Sequence, residues 1–312
     1  MNKFAKRALL TVTAAVGVLA LGLTTTTVVN AVASGIESGQ IESYGEKVDV
    51  DGRQMNVLVT GDGPETIVLL PGFGTAAPVL DFEPLTSDLA RDYRVVVVEP
   101  FGYGLSDGTE EERTTANIVT EVHDALVAID VDRYVLMGHS IAGIYGIEFA
   151  QRYPDEVTAF VGIDSSVPGQ PNMDTEFPIG LFAAAKNVGL ARLLSSFGGG
   201  YDDSFYSAHA QEQLGLLSNR NSLSPTYLDE MAHISSNFED ALGTSFPRDL
   251  PVLLFVESDN AKNADWLPLH ERQAAGVVDG TVVPVPGEHY LHHSHAAEIA
   301  GEFRTWMDAR SI

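Results

Sequence analysis

Five apolar runs in this chain are continuous rather than alternating: residues 65–70, 94–98, 133–137, 158–163 and 250–256. Runs of this length, rich in valine, isoleucine and leucine and closed by Gly, Pro, Asp or Glu, predict strands buried on both faces. Between them the period changes to that of a helix. Residues 78–92 and 141–153 read as helices, and Ile118, Val119, Val122, Leu126 and Val127 mark a third over 115–129. Residues 47–53 and 54–61 alternate around Asp51-Gly52, which predicts a hairpin. After residue 256 the alternation continues with a helix near 266–275, a strand over 280–285 and a last helix over 296–310. Buried strands alternating with helices predict an α/β fold: a mostly parallel central sheet with helices on both faces.

The alternation lapses once. From about 165 to 249 no buried strand is found, only helical pieces over 179–197 and 225–242 with a break at Gly198-Gly199-Gly200. The expected organisation is therefore a core formed by 47–164 and 250–312, with a helical cap over 165–249.

The amino terminus is patterned differently. Lys3, Lys6 and Arg7 precede an uncharged, largely apolar span from Ala8 to Ala33. The span is long enough to cross a bilayer as a helix, and Ala31-Val32-Ala33 would also serve as a signal-type cleavage site. Residues 1–34 are read as an anchor in preference to a cleaved signal, and 35–46 as a linker. In either case the basic end stays cytoplasmic and the body is exported.

Charge and composition narrow the function classes. The chain has 43 acidic against 18 basic residues, a net charge of −25. Such a surface repels phosphate backbones, which argues against a nucleic-acid partner. With no cysteine, thiol nucleophiles, disulfides and cysteine-ligated metals are ruled out.

In an open α/β sheet, reactive groups gather at the carboxyl ends of the strands. The run ending at Met137 breaks on Gly138-His139-Ser140-Ile141-Ala142-Gly143, a strand-to-helix corner that would hold the Ser140 hydroxyl clear of its neighbours. The last strand ends at Pro286-Gly287-Glu288-His289, and the one before it at Glu257-Ser258-Asp259. Serine, acid and histidine in that order supply a nucleophile, a base that titrates near neutrality and a carboxylate to orient it. The amides of Ile141, after the nucleophile, and Phe73, in the loop after the first buried strand, would receive an oxyanion.

With Pro71-Gly72-Phe73-Gly74 and Gly102-Tyr103-Gly104-Leu105-Ser106-Asp107 added, the chain resembles the α/β-hydrolases with a serine nucleophile and a cap, over roughly 47–310. The resemblance implies Ser140 as nucleophile, His289 as base and the Phe73 and Ile141 amides as the oxyanion hole. It implies no cofactor and no metal. Two positions depart from the family pattern. Ala142 stands where glycine is usual, with Gly143 following, and Val256-Glu257-Ser258-Asp259 lacks the glycine that normally precedes the acid. Asp259 is the preferred acid, with Glu257 and then Asp164 as alternatives. His139 reads as packing beside the elbow, and His292, His293 and His295 as a solvated loop rather than a metal site.

The reading that follows is a serine hydrolase acting on a small-molecule ester or related acyl substrate through an acyl-enzyme. An acyltransferase and a silent surface protein on the same scaffold are its competitors.

Overall fold

A computed structural model describes residues 3–195, 205–260 and 263–310. The chain opens with a single long helix, α1 (Lys3–Ser38), followed by the hairpin β1 (Glu46–Val50) and β2 (Arg53–Thr60) and the first central strand, β3 (Thr66–Leu70). Short helices α2 (Pro78–Asp81) and α3 (Glu83–Leu89) lead to β4 (Arg94–Glu99) and α4 (Thr115–Ala128). The nucleophile corner lies between β5 (Tyr134–His139) and α5 (Ala142–Arg152), and β6 (Val157–Ile163) closes the first half. Among the described residues four helices intervene: α6 (Ile179–Asn187), α7 (Leu190–Ser195), α8 (Ala208–Asn221) and α9 (Pro225–Asp240). The chain then returns through β7 (Val252–Glu257), α10 (Trp266–Ala274), β8 (Gly280–Val285), α11 (Leu291–Ser294) and α12 (Ala296–Asp308).

The eight strands form one sheet in the order β1-β2-β4-β3-β5-β6-β7-β8, antiparallel at the hairpin end and parallel from β4 onwards. The continuous apolar runs explain its burial. Val68, Leu70, Val96, Val98 and Leu136 face a core shared with α4 and α5, while their neighbours Ile67, Leu69, Val95, Val97 and Val135 face one shared with α3 and α12. Pro284, which cannot donate to a ladder, sits in the edge strand β8, where that loss is tolerated.

Several local expectations differ; the helix read over 179–197, for one, is broken at Val188-Gly189 between α6 and α7. The helix read over 78–92 is broken at Phe82, because Pro84 supplies no N–H and starts a new first turn. Helix α8 was not foreseen. Its apolar face is only Ala210, Leu214 and Leu217, on an otherwise polar stretch capped by Ser207 Oγ accepting from the Ala210 amide. α1 continues to Ser38, four residues into the stretch read as linker. The glycine break at 198–200 lies outside the described residues.

At about 1.5 Å per residue α1 is roughly 54 Å long, against a hydrocarbon core of about 30 Å. Its first part exposes apolar side chains such as Leu10, Val18 and Leu21, and the hydroxyls of Thr24, Thr25 and Thr27 bond back to carbonyls one turn earlier. By length and composition this helix can cross a membrane. Its last third is held by the intervening helices. Arg192 of α7 donates to Asn30 Oδ1 at 2.9 Å, to Ser34 Oγ at 3.0 Å and to Glu37 Oε1 at 2.5 Å, and Asn219 of α8 reaches the same glutamate.

Helix α9 is pinned to the sheet end of the core by buried polar contacts. Glu230 accepts from the Tyr103 and Tyr145 hydroxyls, at 2.9 and 2.8 Å, and burial pushes its carboxyl pKa upward. Nearby, the fully buried Arg113 donates to both oxygens of Glu121 at 2.6 Å in a fork. Removing one partner would leave the other charge stranded, so Glu121→Ala is expected to lower the unfolding free energy by about 3–5 kcal/mol. Urea denaturation of the two proteins measures this directly.

Candidate active site

Ser140 occupies the turn between β5 and α5 with φ +54°, a left-handed conformation that a side chain adopts only when its surroundings enforce it. The enforcement is visible. The Ser140 carbonyl accepts from the Gly143 amide at 3.0 Å and from the Ser166 amide at 2.7 Å. A Cβ on Gly143 would lie 2.2 Å from the Ser166 carbonyl, so that position has no room for one. Ala142, the departure from the usual pattern, places its methyl against the vacant side of Gly138. The close approach thus falls on Gly143, and an alanine at 142 is accommodated.

The loop after β3 crosses directly over this corner. A Cβ on Gly72 would come within 2.6 Å of His139 Nδ1 and 3.0 Å of Ser140 Cβ, and Phe73 follows it into the cleft. Ile141, the first residue after Ser140, lines the same cleft.

His289 reaches Ser140 from the loop after β8. Its Nε2 stands 2.9 Å from Ser140 Oγ, and its Nδ1 is 2.6 Å from an oxygen of Asp164. Because a carboxylate oxygen accepts, Nδ1 carries the proton and Nε2 is the lone-pair nitrogen facing the serine. The structure therefore brings Ser140 and His289 together, and it corrects the acid: the carboxylate against the histidine is Asp164, not Asp259. Asp164 follows β6 at φ +42° and is fully buried. Its second oxygen accepts from the Glu257 amide at 2.9 Å and from the Trp266 indole at 2.7 Å. These contacts place it where three elements meet. Asp259 lies one turn beyond β7, exposed at the rim of the cleft. Glu257 contributes its backbone amide to Asp164, while its carboxylate accepts from Asn260 at 3.1 Å.

These groups open into a cleft of about 1140 Å³ between the sheet and the intervening helices. Phe73, Ile141, Met173, Ile234 and Phe238 supply its apolar walls, with Gln170 and Asn172 among the polar ones.

Behind the elbow lies a second set of polar side chains. His139 is fully buried, and its Nε2 donates to the His289 carbonyl at 3.1 Å. Asp81, also buried, accepts from His292 Nε2 at 2.8 Å and from His293 Nε2 at 3.0 Å. Burial is the largest influence on both His139 and His292 and holds their pKa values below the ordinary range, His139 well below it. Burial alone would raise the Asp81 pKa, but the two histidines outweigh it and leave the pKa well below that of a free carboxylate. The solvated loop expected at His292 and His293 is thus a packed cluster. Its acid comes from 211 residues earlier in the chain, beyond any local spacing. The three donor atoms lie within 4.8 Å of one another, each histidine spaced from the carboxylate at hydrogen-bond distance.

Comparison with known proteins supports the same fold. Residues 67–302 match the model of the alpha/beta hydrolase family. "Uncharacterized protein YbdG" of Bacillus subtilis (strain 168) is 35% identical over 135 residues, 43% of this chain and 42% of that protein. "Putative carbamate hydrolase RutD" of Escherichia coli O44:H18 (strain 042 / EAEC) is 31% identical over 104 residues, 33% of this chain and 37% of that protein. The matched segments thus span less than half the length of these relatives. A solved structure described as "a membrane phospholipase A, a novel bacterial virulence factor" superposes with a TM-score of 0.62 at 20% identity. It covers 99% of both chains, α1 included, and at this identity the likeness is one of fold.

Proposed function

The chain belongs to the alpha/beta hydrolase family, and on that premise we propose that it is a serine hydrolase of ester or related acyl substrates. The observation that carries this reading is the unbroken relay from Ser140 Oγ through His289 to Asp164, mounted on a left-handed elbow at the mouth of an apolar cleft.

In the forward step Ser140 Oγ attacks the acyl carbonyl and its proton passes to His289 Nε2. Asp164 holds the ring in the productive tautomer and stabilises the imidazolium. Negative charge on the carbonyl oxygen is received by the amides of Phe73 and Ile141. Collapse expels the leaving alkoxide, which takes the proton from His289 and departs as an alcohol. Water, deprotonated by the same nitrogen, then attacks the acyl-serine, releasing the carboxylic acid and restoring Ser140. The relative named as a carbamate hydrolase is a reason to test carbamates beside esters, since both present a carbonyl bearing an oxygen leaving group.

The apolar, exposed start of α1 supports a membrane-anchored enzyme with Lys3, Lys6 and Arg7 on the cytoplasmic side and the hydrolase body on the other. Labelling intact cells with a fluorophosphonate, followed by mass mapping, tests both parts. The adduct is expected on Ser140, in a membrane-fraction protein that retains residues 1–33. An amino terminus at Ser34 would overturn the anchor, and an unlabelled folded protein would overturn the serine mechanism.

A further inference from the structure

The base of the proposed relay is poorly held by its own surroundings. His289 lies in the irregular stretch between β8 and α11, and its side chain is 42% exposed, so packing does not fix it. The hydrogen bonds of its ring join it to Ser140 and Asp164, both of which are reaction partners in the proposed relay. What sets the position of its backbone lies elsewhere.

Two connections do so. His139, the residue before the nucleophile, donates from Nε2 to the His289 carbonyl. Three residues after His289, α11 is tied to α2 by Asp81, whose two oxygens each take one hydrogen bond, from His292 and from His293. The rings are also in contact. His139 lies 4.7 Å from His289 and 4.6 Å from His292, centroid to centroid, and His292 lies 4.7 Å from Phe82. Asp81 is anchored from a third direction, because its backbone carbonyl accepts from Tyr206 Oη at 3.1 Å.

On the hydrolase reading above, we infer that Asp81 is a positioning residue for catalysis, acting through His292 and His293 to set where His289 meets Ser140. The chemistry of the cluster supports this over simple packing. A carboxylate with 2% side-chain exposure against a histidine with none costs desolvation free energy that an apolar trio of similar volume would not. What the carboxylate adds is direction. Two charge-assisted hydrogen bonds from consecutive residues fix both the height and the rotation of the first turn of α11. Burial, which lowers the pKa values of His139 and His292, favours these two rings as neutral donors. A carbonyl and a carboxylate can only accept, which assigns the protons to His139 Nε2 and His292 Nε2. Their Nδ1 atoms are left buried with no hydrogen-bonding partner among the described residues. A buried lone pair with no donor is a standing cost. It is accepted on both rings that connect Asp81 to the elbow.

The substitution that tests this is Asp81→Asn. An amide offers one acceptor where the carboxylate offers two, so one of the two histidines loses its partner. Displacement of a catalytic group by about 1 Å costs on the order of 10²-fold in rate. For Asp81→Asn on an activated ester, kcat is expected to fall about that much with KM within about twofold of the parent. The low-field proton resonance of the His289–Asp164 hydrogen bond, present in the parent, is expected to shift or vanish. His293→Gln, at the more accessible member of the cluster, is expected to give a smaller loss of the same kind and covers the case in which Asp81→Asn does not fold.

Unchanged kcat in either folded variant would overturn the inference. So would a fall that merely follows the folded fraction measured by circular dichroism, or loss of parental activity on chelation, which would make the cluster a metal site instead. Fluorophosphonate labelling separates this from failure of the underlying reading. A parent that does not label refutes the serine mechanism, whereas parent and Asp81→Asn labelling at equal rates refutes only the positioning role.

Discussion

Ser140→Ala is expected to lower kcat on an activated ester on the order of 10⁶-fold while leaving the fold intact. The size follows from interdependence: without the hydroxyl, His289 has no proton to move and the Asp164 hydrogen bond orients a base with no partner. What remains is catalysis by the Phe73 and Ile141 amides and by binding in the cleft, roughly 10³–10⁴ above the reaction in water. The alanine also removes the only polar atom of a side chain held at φ +54°, and its methyl fits the same space. Circular dichroism should therefore superpose on that of the parent. Single-turnover and steady-state assays on the purified proteins measure the loss, and retention of activity would mean that the relay is not the reaction centre.

The second expectation distinguishes between two carboxylates. Asp164→Asn should cost about 10⁴-fold in kcat, because an amide group facing Nδ1 favours the wrong imidazole tautomer while the geometry is kept. Asp259→Asn should leave kcat within about twofold. The two acids follow consecutive strands and line the same cleft, and of the two it is Asp164 whose carboxylate accepts from His289. A large loss at Asp259 with none at Asp164 would reverse the assignment.

Why the sequence pointed to Asp259 when Asp164 is the carboxylate that meets His289 is instructive. Ser140 and His289 were legible because each sits at the end of an apolar run in a distinctive local pattern, Gly138-x-Ser140 and Pro286-Gly287-x-His289. Asp164 also ends an apolar run, but nothing local distinguishes it from Asp259. The difference is made by the Trp266 indole, 102 residues away in the chain, and by the Glu257 amide, 93 away, which together convert Asp164 into a fully bonded carboxylate. The missing glycine before Asp259 was the one hint that the usual acid-bearing loop is altered here.

The sheet was legible for a related reason. Its central strands, β3 to β7, are buried on both faces, so composition alone marks them, whereas helices with weak apolar faces, such as α8, leave no such mark. The Asp81 cluster was not legible at all. His292 and His293 look like polar loop residues until β3 and its following helices bring a carboxylate to them.

The Arg192 contacts with α1 also bear on how the protein is made. The residues they join are 155–162 positions apart. At roughly 5–20 residues per second, the amino-terminal helix leaves the ribosome on the order of ten seconds before its partner on α7 exists. During that interval Asn30, Ser34 and Glu37 have no counterpart from the body. On the anchored reading proposed above, the helix would reach the membrane first, and the helices that hold its last third would close against it afterwards. Cleavage after Ala33 would part Asn30 from Ser34 and Glu37, dividing the surface on which that last step closes.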